Sequence, residues 1–243
     1  MKKSEKISVL VLAILVLVGC LGWVFLHHST TPEASLPTVS SLTSVVDRGL
    51  DEEHTQMFRD KIFESEATVA ANEANGTRDI GAILVLGNLY YELGELESAA
   101  TWYRDILRTN PEDAPALENL AQTQIEMGDW SGAEKSLRAA ANVSAYEPTY
   151  MKLVDLIDAH FPERSGEIQT ILETAIANLG QTSGLLSRLG QWYADQGMLD
   201  EAISHYQVAH QIDPEDQSIS DEITRLKQER KASQPQTEKR IIR

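Results

Sequence analysis

The chain has 243 residues, 42% of them hydrophobic and 24% charged, which excludes wholesale disorder and leaves enough apolar surface for a folded core. Its 37 Asp and Glu against 21 Lys and Arg give a formal net charge of -16, which excludes a general attraction to nucleic acid backbones. The signs are unevenly placed: Lys2, Lys3 and Lys6 open the chain, Arg225 to Arg243 is rich in basic residues, and the stretch between is acidic.

After a short basic segment, residues 1–6, residues 7–26 read ISVLVLAILVLVGCLGWVFL without a charge. As a helix of about 1.5 Å rise per residue this run spans a hydrocarbon core of roughly 30 Å, so it is predicted to be a transmembrane anchor. Lysines before it, and almost no Lys or Arg after it until Arg48, predict a cytoplasmic N-terminus and an extracytoplasmic, or periplasmic, remainder held at the cell inner membrane. A cleavable secretory signal fits poorly, because WVFLHHST lacks a good small-x-small site. Leu17-Val18-Gly19-Cys20 resembles the lipobox of bacterial lipoproteins, which makes acylation at Cys20 the alternative to an uncleaved anchor; the apolar run continuing to Leu26 counts against it. Cys20 is the chain's one cysteine, so an intrachain disulfide is excluded.

Residues 27–41, rich in Ser, Thr and Pro, read as a linker. From 42 to 79 apolar residues recur at helical spacing (Leu42, Val45, Val46, then Met57, Ile62, Phe63) until Asn75-Gly76, which predicts either a divergent helix pair or one long helix. Residues 80–216 carry the strongest signal. Leu86-Gly87, Tyr90, Gly94, Ala99, Tyr103 and Pro111 match Leu189-Gly190, Tyr193, Gly197, Ala202, Tyr206 and Pro214, each pair 103 residues apart, close to three periods of about 34. Between them, 114–147 keeps Leu117, Leu120, Gly128, Ala133, Leu137 and Ala140 in register, with Ala121 for the glycine and Gln124 for the aromatic; 148–182 is weaker and has no central turn glycine.

These segments resemble the tetratricopeptide repeat family. The resemblance implies an all-α fold, an α-solenoid of helix hairpins at 80–113, 114–147, 148–182 and 183–216, following the N-terminal transmembrane helix. Small residues at 87, 121 and 190 are expected where paired helices approach, turn glycines at 94, 128 and 197 where φ is positive, and Pro111 and Pro214 in first helical turns. Ile219, Ile223 and Leu226 predict a C-terminal capping helix over 217–232, before a basic tail at 233–243.

No HExxH, GxSxG or GxxxxGK[ST] motif occurs, and cysteine is absent beyond residue 20, so no enzyme chemistry, metal or cofactor is expected. His205 and His210 near Asp213 read as helix-surface histidines rather than a metal site. In the tetratricopeptide family the concave groove is lined by first helices. Carried onto this chain, the groove candidates are Leu84, Asn88, Tyr91 and Glu92, then Glu118, Gln122, Ile125 and Glu126, then Ser187, Gln191, Ala194 and Asp195. They are neutral or acidic, which implies a neutral or basic protein or peptide partner and no nucleic acid. Of the Lys, Arg and Asn set with which some members clamp a C-terminal carboxylate, Asn88 alone matches. A membrane anchor followed by exported repeats is similar to bacterial cytochrome c maturation and envelope assembly proteins. The expected function is a membrane-anchored scaffold or adaptor. The alternatives are a lipoprotein assisting pilus or secretion assembly, and a structural subunit packed on a membrane complex.

Overall fold

A computed structural model describes residues 42–233; the anchor, Cys20 and linker read from residues 1–41, and the tail beyond 233, fall outside them. Among the described residues no helix is long and apolar enough to cross a membrane. The described chain is all α-helical apart from turns, one short 3-10 turn and an extended N-terminal tract. Helix α1 is Glu52–Ala74. Four hairpins follow: α2 (Ile80–Leu93) with α3 (Leu96–Thr109), α4 (Ala114–Met127) with α5 (Trp130–Val143), α6 (Glu147–His160) with α7 (Gly166–Leu179), and α8 (Ser183–Asp195) with α9 (Leu199–Ile212). Helix α10 (Gln217–Ser233) lies on α9. Each helix packs chiefly on its neighbours in the chain, the one-dimensional arrangement of a solenoid.

Local chemistry sets the hairpin boundaries. Asp79, Asp113, Asp129 and Thr182 accept hydrogen bonds from the backbone N–H groups of Ala82, Ala116, Gly132 and Leu185, so α2, α4, α5 and α8 start where a side chain satisfies an orphan donor. Helix α2 stops at Gly94, whose φ of 87° is open to residues without a Cβ. The prolines depart from the expectation. Pro111 and Pro214 sit in the turns between helices, ahead of α4 and α10, while Pro115 occupies the N-terminal turn of α4. Asp113 takes the N-cap, so the repeat proline belongs to the approach and not to the helix.

Small residues let the paired helices close. A Cβ on Gly87 would come within 2.6 Å of Tyr103, and one on Gly190 within 2.8 Å of Tyr206. In the second repeat the sizes are exchanged: Ala121 and Leu137, both buried, stand where the other two have glycine and tyrosine. Gln124, in the aromatic's place, is also buried, and its amide accepts from Ser136 at 2.7 Å and donates to Asp129 at 3.3 Å. A polar pair thus replaces a ring without leaving an unsatisfied group.

The third hairpin forms without the central glycine. Its turn is the 3-10 segment Pro162–Arg164, and Arg164 reaches back to Glu134 of α5 at 2.6 Å and to Glu167 at 2.8 Å. Arg138 donates to the same two carboxylates. The hydrogen bond from Arg164 holds the Glu134 carboxyl down at about 2, so this carboxylate stays charged well below neutral pH. At the far end Ile219, Ile223 and Leu226 of α10 cover Ala202, Ile203, Tyr206 and Ala209.

The segment before α1 corrects the helical reading of residues 42–51. These residues are extended, and Leu42, Val45 and Val46 are not on a helix. The tract instead bonds through its backbone to the turns of the first two repeats: Thr43 N–H donates to Met127 O (2.9 Å), Val46 N–H to Gly94 O (2.9 Å), and Ser44 O accepts from Glu97 N–H (3.3 Å). From 52 onward the single-helix alternative holds, with Ile62 and Val69 of α1 packed against α2.

Candidate functional site

Helices α2, α4, α6 and α8 present their exposed residues in a row, because residues one repeat apart on successive first helices lie side by side. Bonds between those helices trace the row: Asn119 donates to Asn88 Oδ1 (2.9 Å), Thr149 to Glu118 (2.6 Å) and Lys152 Nζ to Gln122 (2.9 Å), and Arg188 reaches Asp158 (2.6 Å) and Asp155 (3.4 Å).

Nine of the twelve candidates read from the sequence line three hollows along this row. Asn88, Tyr91, Glu92 and Gln122 line a hollow of about 210 Å³ with Asn119 and Tyr103. Ser187, Gln191, Ala194 and Asp195 all line another of about 570 Å³, where Met151, Arg188 and Arg225 join them. Ile125 borders a third, of about 200 Å³, with Lys152, Asp155, Leu156 and His160. Glu118 is tied to Thr149, and Glu126 is held among Tyr91, Gln122 and Arg48. Leu84 is half-buried and packs against two core clusters.

The sequence reading missed the positive charges. Lys152 and Arg188 belong to this surface, and Arg188 is only 8% exposed, its guanidinium fixed by two aspartates of the preceding first helix. The signal for Arg188 lay one residue from Ser187. Lys152 sits in the weak third repeat, where the groove register is not legible. Arg48 carries no repeat signal at all, since it lies in the extended tract.

Around Arg48 the electrostatics are well defined. Its guanidinium carbon lies 4.6 Å from the Tyr91 ring centroid, Nη2 donates to Tyr91 O at 3.0 Å, and Nη1 meets Glu126 Oε2 at 2.8 Å. Tyr91 donates its hydroxyl to the other Glu126 oxygen. Burial, and then this hydrogen bond, push the Tyr91 phenol up. Burial works against the Glu126 charge, but bonds from Tyr91, Gln122 and Arg48 outweigh it and hold that carboxyl below its ordinary value. The tyrosine therefore remains a donor and the glutamate an anion.

His205 is stacked on Tyr193 with ring centroids 5.1 Å apart, and burial pushes its pKa down, so it is a neutral packing residue. Among the described residues no cluster of three His, Cys, Asp or Glu side chains is placed to hold a metal ion.

A row of first helices with shared polar hollows, backed by second helices, defines an α-solenoid of the kind that holds other chains. The chain carries tandem tetratricopeptide repeats: models of that repeat match residues 80–123 and 183–216. Among solved structures it is similar to YrrB, described as a TPR protein with an unusual peptide-binding site (19% identity, TM-score 0.54, covering 70% of this chain and 87% of that one). It is also similar to MamA (19% identity, TM-score 0.55, 70% and 96%). At those identities the likeness concerns the fold. A curated relative, anaphase-promoting complex subunit 7 of Arabidopsis thaliana, is 27% identical over 172 residues, which are 70% of this chain; the chain spans 30% of that relative's length.

Proposed function

We propose that this chain is a non-catalytic scaffold whose first-helix groove takes up an extended, neutral or basic segment of a protein partner. The observation that supports this most is the sharing of two hollows by eight of the twelve candidate side chains: Asn88, Tyr91, Glu92 and Gln122 in one, and Ser187, Gln191, Ala194 and Asp195 in the other. Their donors and acceptors suit an extended backbone, and Glu92 and Asp195 supply negative charge that discriminates against acidic segments. The unusual peptide-binding site described for YrrB is in keeping with such a role.

A test uses equal-length basic, neutral and acidic peptides against the full chain in detergent. Basic and neutral peptides are expected to bind, and Asn88→Ala combined with Gln191→Ala to weaken them about ten-fold at unchanged helix content. Preference for acidic peptides, or affinity indifferent to both substitutions, overturns the reading.

On the same proposal the groove lies outside the cytoplasm, carried by an uncleaved anchor at residues 7–26, on the strength of that run's length and the lysines before it. The expected intact mass of membrane-extracted protein is that of the full chain, altered by Cys20→Ser only through the substitution itself. Loss of residues 1–19 with added lipid, abolished by Cys20→Ser, would replace the anchor with a lipoprotein. For a structural subunit, the second helices offer Val143, Leu179 and Ile212 as exposed apolar residues, the last residues of α5, α7 and α9.

A further inference from the structure

Resting on the groove reading above, we propose that the chain's own tract 42–50 occupies part of the groove in cis, with Arg48 filling an arginine subsite made by Tyr91 and Glu126, and that a partner enters by exchanging its own arginine for Arg48.

The tract sits on the repeats as an extended ligand would. It bonds through its backbone at Thr43, Ser44 and Val46, to the turns of two successive repeats. One apolar side chain, Val46, packs against the core cluster beneath, while Leu42 and Val45 remain exposed. Arg48 supplies the specific contact: a cation over a ring, a carboxylate opposite it, and a carbonyl at the C-terminal end of α2, where helix carbonyls favour positive charge. Gly94 makes the approach possible, since a Cβ there would lie 2.1 Å from Val46 O. Of the residues that hold Arg48, Tyr91 borders the hollow shared with Asn88, Glu92 and Gln122, and Gln122 also donates to Glu126.

The attachment is suited to exchange. Three backbone bonds, one arginine and the half-buried Val46 and Leu50 bury little apolar surface, and the tract is joined directly to α1, so its hold comes largely from proximity. A short tether gives an effective concentration on the order of millimolar. A partner segment must therefore match the arginine contact and add others further along the groove. Lysine would fit less well, because it lacks the planar group that stacks on Tyr91 while meeting Glu126 and a carbonyl together.

The probes are fluorescein-labelled LTSVVDRGL, the sequence of residues 42–50, and LTSVVDAGL, added to the full chain in detergent. Val46→Pro with Arg48→Ala frees the site by removing the N–H to Gly94 and the guanidinium. This variant is expected to bind the arginine peptide at least ten-fold more tightly than the wild type does, to bind the alanine peptide at least ten-fold more weakly, and to lose the gain when Glu126→Gln is added. Arg48→Ala alone, with the backbone of the tract intact, must show the same order with a smaller gain. Equal binding of the two peptides, equal binding by wild type and freed chain, or no binding to the freed chain overturns the proposal. If that happens while Asn88→Ala with Gln191→Ala still weakens basic peptides, the groove reading stands and the cis occupant falls; if those substitutions have no effect either, both fall.

Discussion

Trp192→Ala is expected to destabilise the chain by about 3–5 kcal/mol, the usual cost of emptying a buried aromatic site, and to split its unfolding into two steps. Trp192 is 7% exposed and belongs to the largest core cluster with Ile168, Leu172 and Leu189. Its indole N–H donates to Ser165 O at 2.8 Å, which pins the irregular turn of the third hairpin to the first helix of the fourth. Removing the ring deletes packing area and leaves that carbonyl without its indole donor. In a solenoid, stability is close to a sum of repeat and interface terms, so a loss at one interface uncouples the blocks on either side. Urea unfolding followed by circular dichroism should show a broadened or double transition, and hydrogen exchange should show α8 to α10 opening before α2 to α5. A single transition with uniform exchange would mean the third and fourth repeats are not joined through this side chain.

Gly190→Ala is expected to cost about 1–3 kcal/mol, the range for forcing atoms into a packed core. The new Cβ meets the Tyr206 ring at 2.8 Å and Ala202 O at 3.3 Å, so the ring must move while a backbone atom blocks relief on the other side. The second repeat suggests the compensation, because Ala121 and Leu137 are both buried there in the corresponding places. Tyr206→Leu should therefore cost less in the Gly190→Ala background than in the wild type. The sign of the coupling in a double-mutant cycle decides it, and a coupling near zero would show that the two positions do not trade volume.

The two repeats that kept the Leu-Gly pair were legible because their apolar, small and turn residues recur at fixed spacing, and helix pairing obeys that spacing directly. Gly87 and Gly190 could be assigned to close approach from residue size alone, since only small residues let two helices meet there. The third hairpin was harder to see: its turn rests on Arg164, Glu134 and Glu167, which come together across about 30 residues and obey no local period. In the site, acidic and neutral candidates could be carried over from the repeat register, whereas Arg48 could not, having no repeat position.

By itself the sequence determined the period, the helix hairpins, the turn glycines and the acidic tone of the repeats, because each follows from backbone propensity and residue size within one repeat unit. Only the tertiary structure decided that residues 42–50 run extended across two repeat turns, and that Arg48 meets Tyr91 and Glu126 from 43 and 78 residues away. Those contacts depend on a backbone hydrogen bond to a glycine turn and on a charge pair closed by the fold. Neither leaves a periodic trace in the residues that make it.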